Sequence, residues 1–190
     1  QLDTPLETGY LLRIGIDHFK EINDNFGQEY GDFVLKKSAE CISGCISEGQ
    51  KVYKLVADEF LILDVASDEA KDADKLYDKV REAIDRFIET NEFKVMYTVS
   101  GGIVPFAALK GNQYAEALKL TDFTLNEAKK LGRNRCYIFN GETYRKFLRK
   151  REITQELREA VINGFQGFTA FYQPVFAEDK KVPYGAEALM

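Results

Sequence analysis

Tyr53-Lys54-Leu55-Val56-Ala57-Asp58-Glu59-Phe60 decides the fold of this chain. Apolar residues lead into it from Val52 and out of it from Phe60 to Val65, so it reads as two short strands joined at a turn that carries two adjacent acids. Upstream, Tyr10 to Ile16 is an apolar run interrupted by Arg13 and Gly15, which reads as a buried strand. It passes straight into Ile16-Asp17-His18-Phe19-Lys20-Glu21-Ile22-Asn23-Asp24, a strand end followed by polar loop residues. An acid at a strand end beside acids on a neighbouring hairpin turn can hold metal-bound phosphates against carboxylates.

Working outward, Val34, Leu35, Ala39, Ile42 and Ile46 share one face of a helix over about Glu29–Ile46, with Gly49 just past its end. Ala73, Leu76, Tyr77, Val80, Ala83, Ile84, Phe87 and Ile88 predict a second helix. Val95, Tyr97 and Val99 alternate with Lys94, Met96 and Thr98 as a strand that Gly101-Gly102 ends or bulges and Pro105 bounds. A third helix is expected from Asn112 to Leu131, stopped by Gly132, and a last short strand over Cys136–Phe139. Strand, helix, hairpin, helix, strand, helix, strand is the order of an α/β domain with one mixed sheet flanked by helices.

Composition narrows the chemistry. The chain has 190 residues and a net charge of −5, so non-specific nucleic-acid binding is not expected. A single histidine excludes a His-rich zinc site, so any metal would be an oxygen-bound hard cation such as Mg²⁺. Three cysteines, an odd number, fit a reducing cytoplasmic setting rather than a disulfide framework. No apolar run reaches the ~18 residues that span a bilayer. This leaves open a parent attached to a membrane upstream.

Five ordered segments carry a resemblance. They are Ile16–Asp24, Phe26-Gly27-Gln28-Glu29-Tyr30-Gly31-Asp32, Val56-Ala57-Asp58-Glu59-Phe60, Thr98-Val99-Ser100-Gly101-Gly102-Ile103 and Ala128-Lys129-Lys130-Leu131-Gly132-Arg133-Asn134-Arg135. Over roughly Leu11 to Asn140 the chain resembles the GGDEF domain, the nucleotide-cyclase-like fold of diguanylate cyclases. The resemblance implies that Asn23 and Asp32 recognise the guanine of GTP and that Lys129 and Arg133 contact its phosphates. It also implies that Asp58 binds metal (Mg²⁺, if GTP is bound) and that Glu59 serves transition-state chemistry.

The departures from the family pattern matter as much. Active members carry Asp-x-Asp before the Phe-Lys pair, and the first Asp, a metal ligand, is Gly15 here. Asp17 matches the second, and strand alternation is expected to fix its face and keep it from substituting. Val56 and Ala57 replace the two signature glycines, where positive φ or close phosphate approach makes a β-branched side chain costly. The family's product-inhibition site would fall at Ser47-Glu48-Gly49-Gln50 and is absent. Loss of cyclase activity is therefore expected, with the guanine- and phosphate-reading residues retained.

Glu142 to Asn163 reads as a charged connecting helix with Arg145, Lys146, Arg149, Lys150 and Arg151 clustered, and a solvated face is its expected role. Two strands follow, about Phe168–Phe176 and Val182–Leu189. Tyr172-Gln173-Pro174 and Glu187-Ala188-Leu189 are similar to the beginning of EAL domains, the TIM-barrel phosphodiesterases of cyclic di-GMP. That resemblance implies a metal role for Glu187 in a complete barrel, of which only a partial start lies here. The expected organisation is a degenerate GGDEF domain over 1–140, a connecting helix over 141–163 and an EAL start over 164–190.

Three functional readings follow. The first is a regulatory module that binds GTP and biases an attached phosphodiesterase, which reaches cyclic di-GMP through the parent's full EAL domain. The second is a slow diguanylate cyclase. The third is a spacer that forms a homodimer or positions the barrel without binding nucleotide.

Overall fold

Tyr10, Leu12, Ile14 and Ile16 alternate along strand β1 (Tyr10–Ile16), and each is at most 1% exposed. Strands whose two faces are both covered read as near-continuous apolar runs, and β1 does so because it is central. The computed structural model describes residues 8–67, 70–90, 95–110, 114–177 and 181–189. The remaining strands of its sheet are β2 (Gln50–Lys54), β3 (Glu59–Asp64), β4 (Val99–Pro105) and β5 (Cys136–Ile138). Their order is β2-β3-β1-β4-β5, antiparallel except for the parallel pair β4–β5, so the sheet is mixed as expected.

Helices α1 (Phe19–Phe26), α2 (Gln28–Cys45), α3 (Ala70–Thr90) and α4 (Tyr114–Lys130) complete this unit. The even-numbered residues of β1 pack with Ile22, Val34, Ile42, Val80, Ile84 and Ile88, so α1, α2 and α3 supply one layer of the core. Helix α4 packs on β1, β4 and β5. Its Leu125 and Lys129 lie against Gly15, which places α4 on the odd-numbered face of β1.

Two sequence expectations are corrected. Residues 19–26 are a helix, not a loop: Phe19, Ile22 and Phe26 recur at helical spacing, and only Ile22 among them is buried, so the period is faint in a polar stretch. Its start is His18 at φ 57°. The glycine pair does not end the fourth strand but lies inside β4, which begins at Val99. A Cβ on Gly101 would sit 2.6 Å from Tyr77 Cδ2, and one on Gly102 would sit 2.4 Å from the Leu125 backbone nitrogen. Missing side chains on both faces let α3 and α4 close on the strand.

The expected start of the third helix at Asn112, the Lys94 position and part of the 177–181 turn lie outside the described residues. The chain divides into compact units at 1–141 and 142–190. The second contains most of helix α5 (Gly141–Ile162) and a hairpin of β6 (Phe171–Phe176) with β7 (Pro183–Leu189). β6 and β7 pair antiparallel, whereas the strands of a (β/α)₈ barrel run parallel, so no barrel portion is shown. No helix among the described residues is long and apolar enough to cross a membrane.

Candidate functional site

The turn between β2 and β3 brings its acids to the end of β1. Leu55 N–H donates to the Glu59 carbonyl at 2.9 Å, closing the turn, and Ile16 N–H reaches the Asp58 carbonyl at 3.3 Å. Positive φ falls on Ala57, at 54°, and not on Val56. Val56 is 82% exposed, and the positive φ that the sequence reading made costly for a β-branched residue does not fall on it. The Lys54 ammonium donates to the carbonyls of Leu55, at 3.2 Å, and of Ala57, and so straps the turn from below. Burial lowers the Lys54 pKa against the opposing pull of Asp58 and Glu59.

Gly15 pairs directly across from Glu59, so their side-chain positions share one face, and Arg13, two residues back, shares it too. The Arg13 guanidinium occupies that face. Its Nε donates to Glu59 Oε2 at 2.8 Å, its Nη2 donates to the same oxygen, and Nη2 also lies 3.4 Å from Asp122 Oδ1 on α4. Arg13 and Glu59 side chains are only 13% and 18% exposed, so water screens this pair far less than a surface pair. Lys129, on the last turn of α4, places its ammonium 3.1 Å from where a Cβ on Gly15 would be. The place of a side chain at position 15 is thus taken by a cation.

Asp17 is 2% exposed. Thr98 Oγ1 and Ser100 Oγ each donate to its carboxylate at 2.8 Å, and Asn134 N–H donates at 3.2 Å. Asp17 lies in the turn just past β1, so strand alternation does not set its facing and does not by itself disqualify it as a substitute ligand. Its hydrogen bonds do. They join β1, β4 and the loop after α4, where Gly132, Arg133 and Asn134 all have positive φ. Arg133 itself is exposed on that loop, and its backbone N–H closes on the Ala128 carbonyl at 3.2 Å. Sequence reasoning missed both Arg13 and the anchoring role of Asp17. The Arg inside an apolar strand was the signal for the first.

Asn23 and Asp32 come from the α1–α2 pair. Asn23 Oδ1 lies 1.8 Å from where a Cβ on Gly31 would be, so only glycine leaves room for this amide beside the first turns of α2. Asp32 follows Gly31 and is exposed. Glu187 lies exposed on β7, opposite Gln173, in the other unit. A cleft of about 390 Å³ beside the β1–α1 turn is lined by Asp17, His18, Glu21, Phe26, Asp85 and Met96 among others, and by none of Asn23, Asp32, Asp58, Glu59, Lys129 and Arg133.

The donor set does not fit a divalent cation. Mg²⁺ needs oxygen ligands in near-ideal octahedral geometry. Position 15 offers none, Asp17 is committed to three hydrogen bonds and Glu59 already bonds a guanidinium, which leaves the half-buried Asp58 as the one remaining expected carboxylate, too few for such a site. Among the described residues no three His, Cys, Asp or Glu side chains converge as a metal site.

A family model described as "Diguanylate cyclase, GGDEF domain" matches residues 3–135. The chain is 28% identical over 181 residues to "Cyclic di-GMP phosphodiesterase NbdA" of Pseudomonas aeruginosa, covering 95% of this chain and 22% of that protein. It is 26% identical over 180 residues to "Bifunctional diguanylate cyclase/cyclic di-GMP phosphodiesterase MucR" of the same organism, covering 95% of this chain and 26% of that protein. The chain therefore spans about a quarter or less of these relatives' lengths. Among solved structures, the active GGEEF domain of a diguanylate cyclase from Vibrio cholerae matches with a TM-score of 0.59 and 29% identity, over 70% of this chain and 83% of that one.

Proposed function

This chain belongs to the GGDEF family of diguanylate cyclase domains, and from that premise we propose that it is a catalytically impaired member serving as a GTP-binding regulatory module. The observation that carries the reading is the Arg13–Glu59 pair beside Gly15, which leaves the expected cyclase carboxylate engaged while Asn23, Asp32, Lys129 and Arg133 all remain. In this reading Asn23 and Asp32 hydrogen-bond the guanine. Lys129 and Arg133 receive the phosphates at the end of α4, where cations also complement the helix's negative terminus.

The reading takes 1–140 as the GGDEF domain, 141–163 as a connecting helix and, on the Tyr172-Gln173-Pro174 and Glu187-Ala188-Leu189 motifs, 164–190 as the start of an EAL domain. Matches to NbdA and MucR that extend through it support this. The parent is then a cytoplasmic cyclic di-GMP signalling protein whose phosphodiesterase contains Glu187 as a metal ligand, and the module's output is a bias on that enzyme. Homodimerisation through this domain belongs to the same reading.

Thermal unfolding in rising GTP tests the proposal. A ligand that binds only the folded state at 100 times its Kd stabilises by ~2.7 kcal/mol. GTP should raise Tm, ATP should not, and Asp32→Ala should abolish the rise. A Tm indifferent to GTP would leave the spacer reading in its place.

A further inference from the structure

We propose that this site takes the triphosphate without a divalent cation, because Arg13 and Lys129 hold fixed positive charge where the family pattern calls for a metal ligand and its ion. The inference rests on the GTP-binding reading and names how that site manages its charge.

Three observations converge on one face of β1. Position 15, directly across from Glu59, has no side chain. The space above it is filled by the Lys129 ammonium, 3.1 Å from the Cβ position, with Leu125 Cδ2 also at 3.1 Å. Arg13 binds Glu59 through both Nε and Nη2, and its third nitrogen, Nη1, reaches the Leu118 carbonyl on α4 at 3.4 Å. The guanidinium is thus bound to both β3 and α4 and is pre-organised. A bare Glu59 would repel an arriving triphosphate, which is why a divalent ion usually stands between carboxylate and phosphate. Here the guanidinium pairs with that carboxylate, with Asp122 Oδ1 a second partner at 3.4 Å, and an ammonium meets the phosphate directly. Arg13 is a positioning residue in this scheme: it acts on Glu59 and leaves phosphate contact to Lys129.

Charge balance makes the inference testable by a cycle. Calorimetric titration of GTP should give the same Kd within twofold in Mg²⁺ and in EDTA. Arg13→Leu exposes Glu59 and should weaken binding tenfold or more in EDTA, with recovery in Mg²⁺. Adding Glu59→Leu to Arg13→Leu removes the repulsion and should restore binding in EDTA. A purely structural role for Arg13 would lower affinity equally in both buffers, and that result overturns the inference. Arg13→Gln serves if the leucine variant fails to fold, and the comparison of buffers on the native chain needs no variant.

Binding of the native chain that demands Mg²⁺ by tenfold or more overturns the inference while leaving the GTP-binding reading intact. No binding in either buffer overturns the reading and the inference with it. As a nucleotide-free arm, Mn²⁺ alone, followed by its electron paramagnetic resonance, should show no saturable site. A saturable site lost on Asp58→Asn or on Glu59→Gln would overturn the inference whatever GTP does.

Discussion

Ala57 stands at φ 54°, in the left-handed region that costs a non-glycine residue roughly 1–2 kcal/mol. Glycine there relieves the strain but adds freedom to the unfolded chain, a loss of roughly 0.5–1 kcal/mol. Ala57→Gly should therefore stabilise the fold by about 0.5 kcal/mol, read as a higher urea midpoint at unchanged slope, and it should not create cyclase activity, because Gly15 and the Arg13–Glu59 pair are untouched. Asp64, fully buried at the end of β3, accepts from Gln50 Nε2 at 2.6 Å, Ser67 Oγ at 2.8 Å and the backbone N–H groups of Ala66 and Ser67 at 2.8 and 2.9 Å. Burial alone would raise its pKa, but these bonds outweigh it and the net shift is downward. A folded pKa below the unfolded one gives stability that is complete above about pH 4 and is lost as pH falls through the depressed value. Asp64→Asn should cost roughly 2 kcal/mol at pH 7. Denaturation across pH should show the gap to the native chain narrowing below pH 4. At this scale the sequence showed the missing ligand at Gly15 plainly. It did not show that Arg13 had moved in, since a charged residue in a strand names no partner 46 positions away.

Helix α4 lies on β4 so closely that the strand can carry no side chain at Gly102. A Cβ there would meet backbone, 2.4 Å from Leu125 N, with Thr124 Oγ1 at 2.5 Å. Backbone does not yield as a rotamer does, so Gly102→Ala should destabilise by about 3 kcal/mol in chemical denaturation. It should also loosen Lys129, which α4 holds over Gly15. The long elements were legible because their apolar period spans several turns: α3 and α2 fall within a few residues of expectation. The α1 helix was not. One buried residue in eight leaves almost no period, and its start at a left-handed His18 carries no capping side chain to announce it. The glycine pair was read as ending or bulging a strand because a flat sequence cannot distinguish a break from a close approach. Burial pushes the thiols of Cys41, Cys45 and Cys136 up. Alkylation of the native protein at pH 7.5 should be slow at all three, and fast only after denaturation.

Across the whole molecule, one mixed sheet presents two faces with different duties. The even-numbered residues of β1 anchor the core against α2 and α3, and the odd-numbered ones, together with α4, build the charged site. The motif order located this site along the chain; the convergence of Arg13, Glu59, Asp122 and Lys129 needed the fold, because those residues come from β1, β3 and α4. The proposed role, holding nucleotide without turning it over, is tested by calorimetric titration of GTP into the protein, followed by chromatography of the nucleotide recovered from the cell. A saturable, single-site isotherm is expected, with GTP recovered unchanged. A flat titration, or cyclic di-GMP in the recovered solution that disappears with Asp58→Ala, would contradict it.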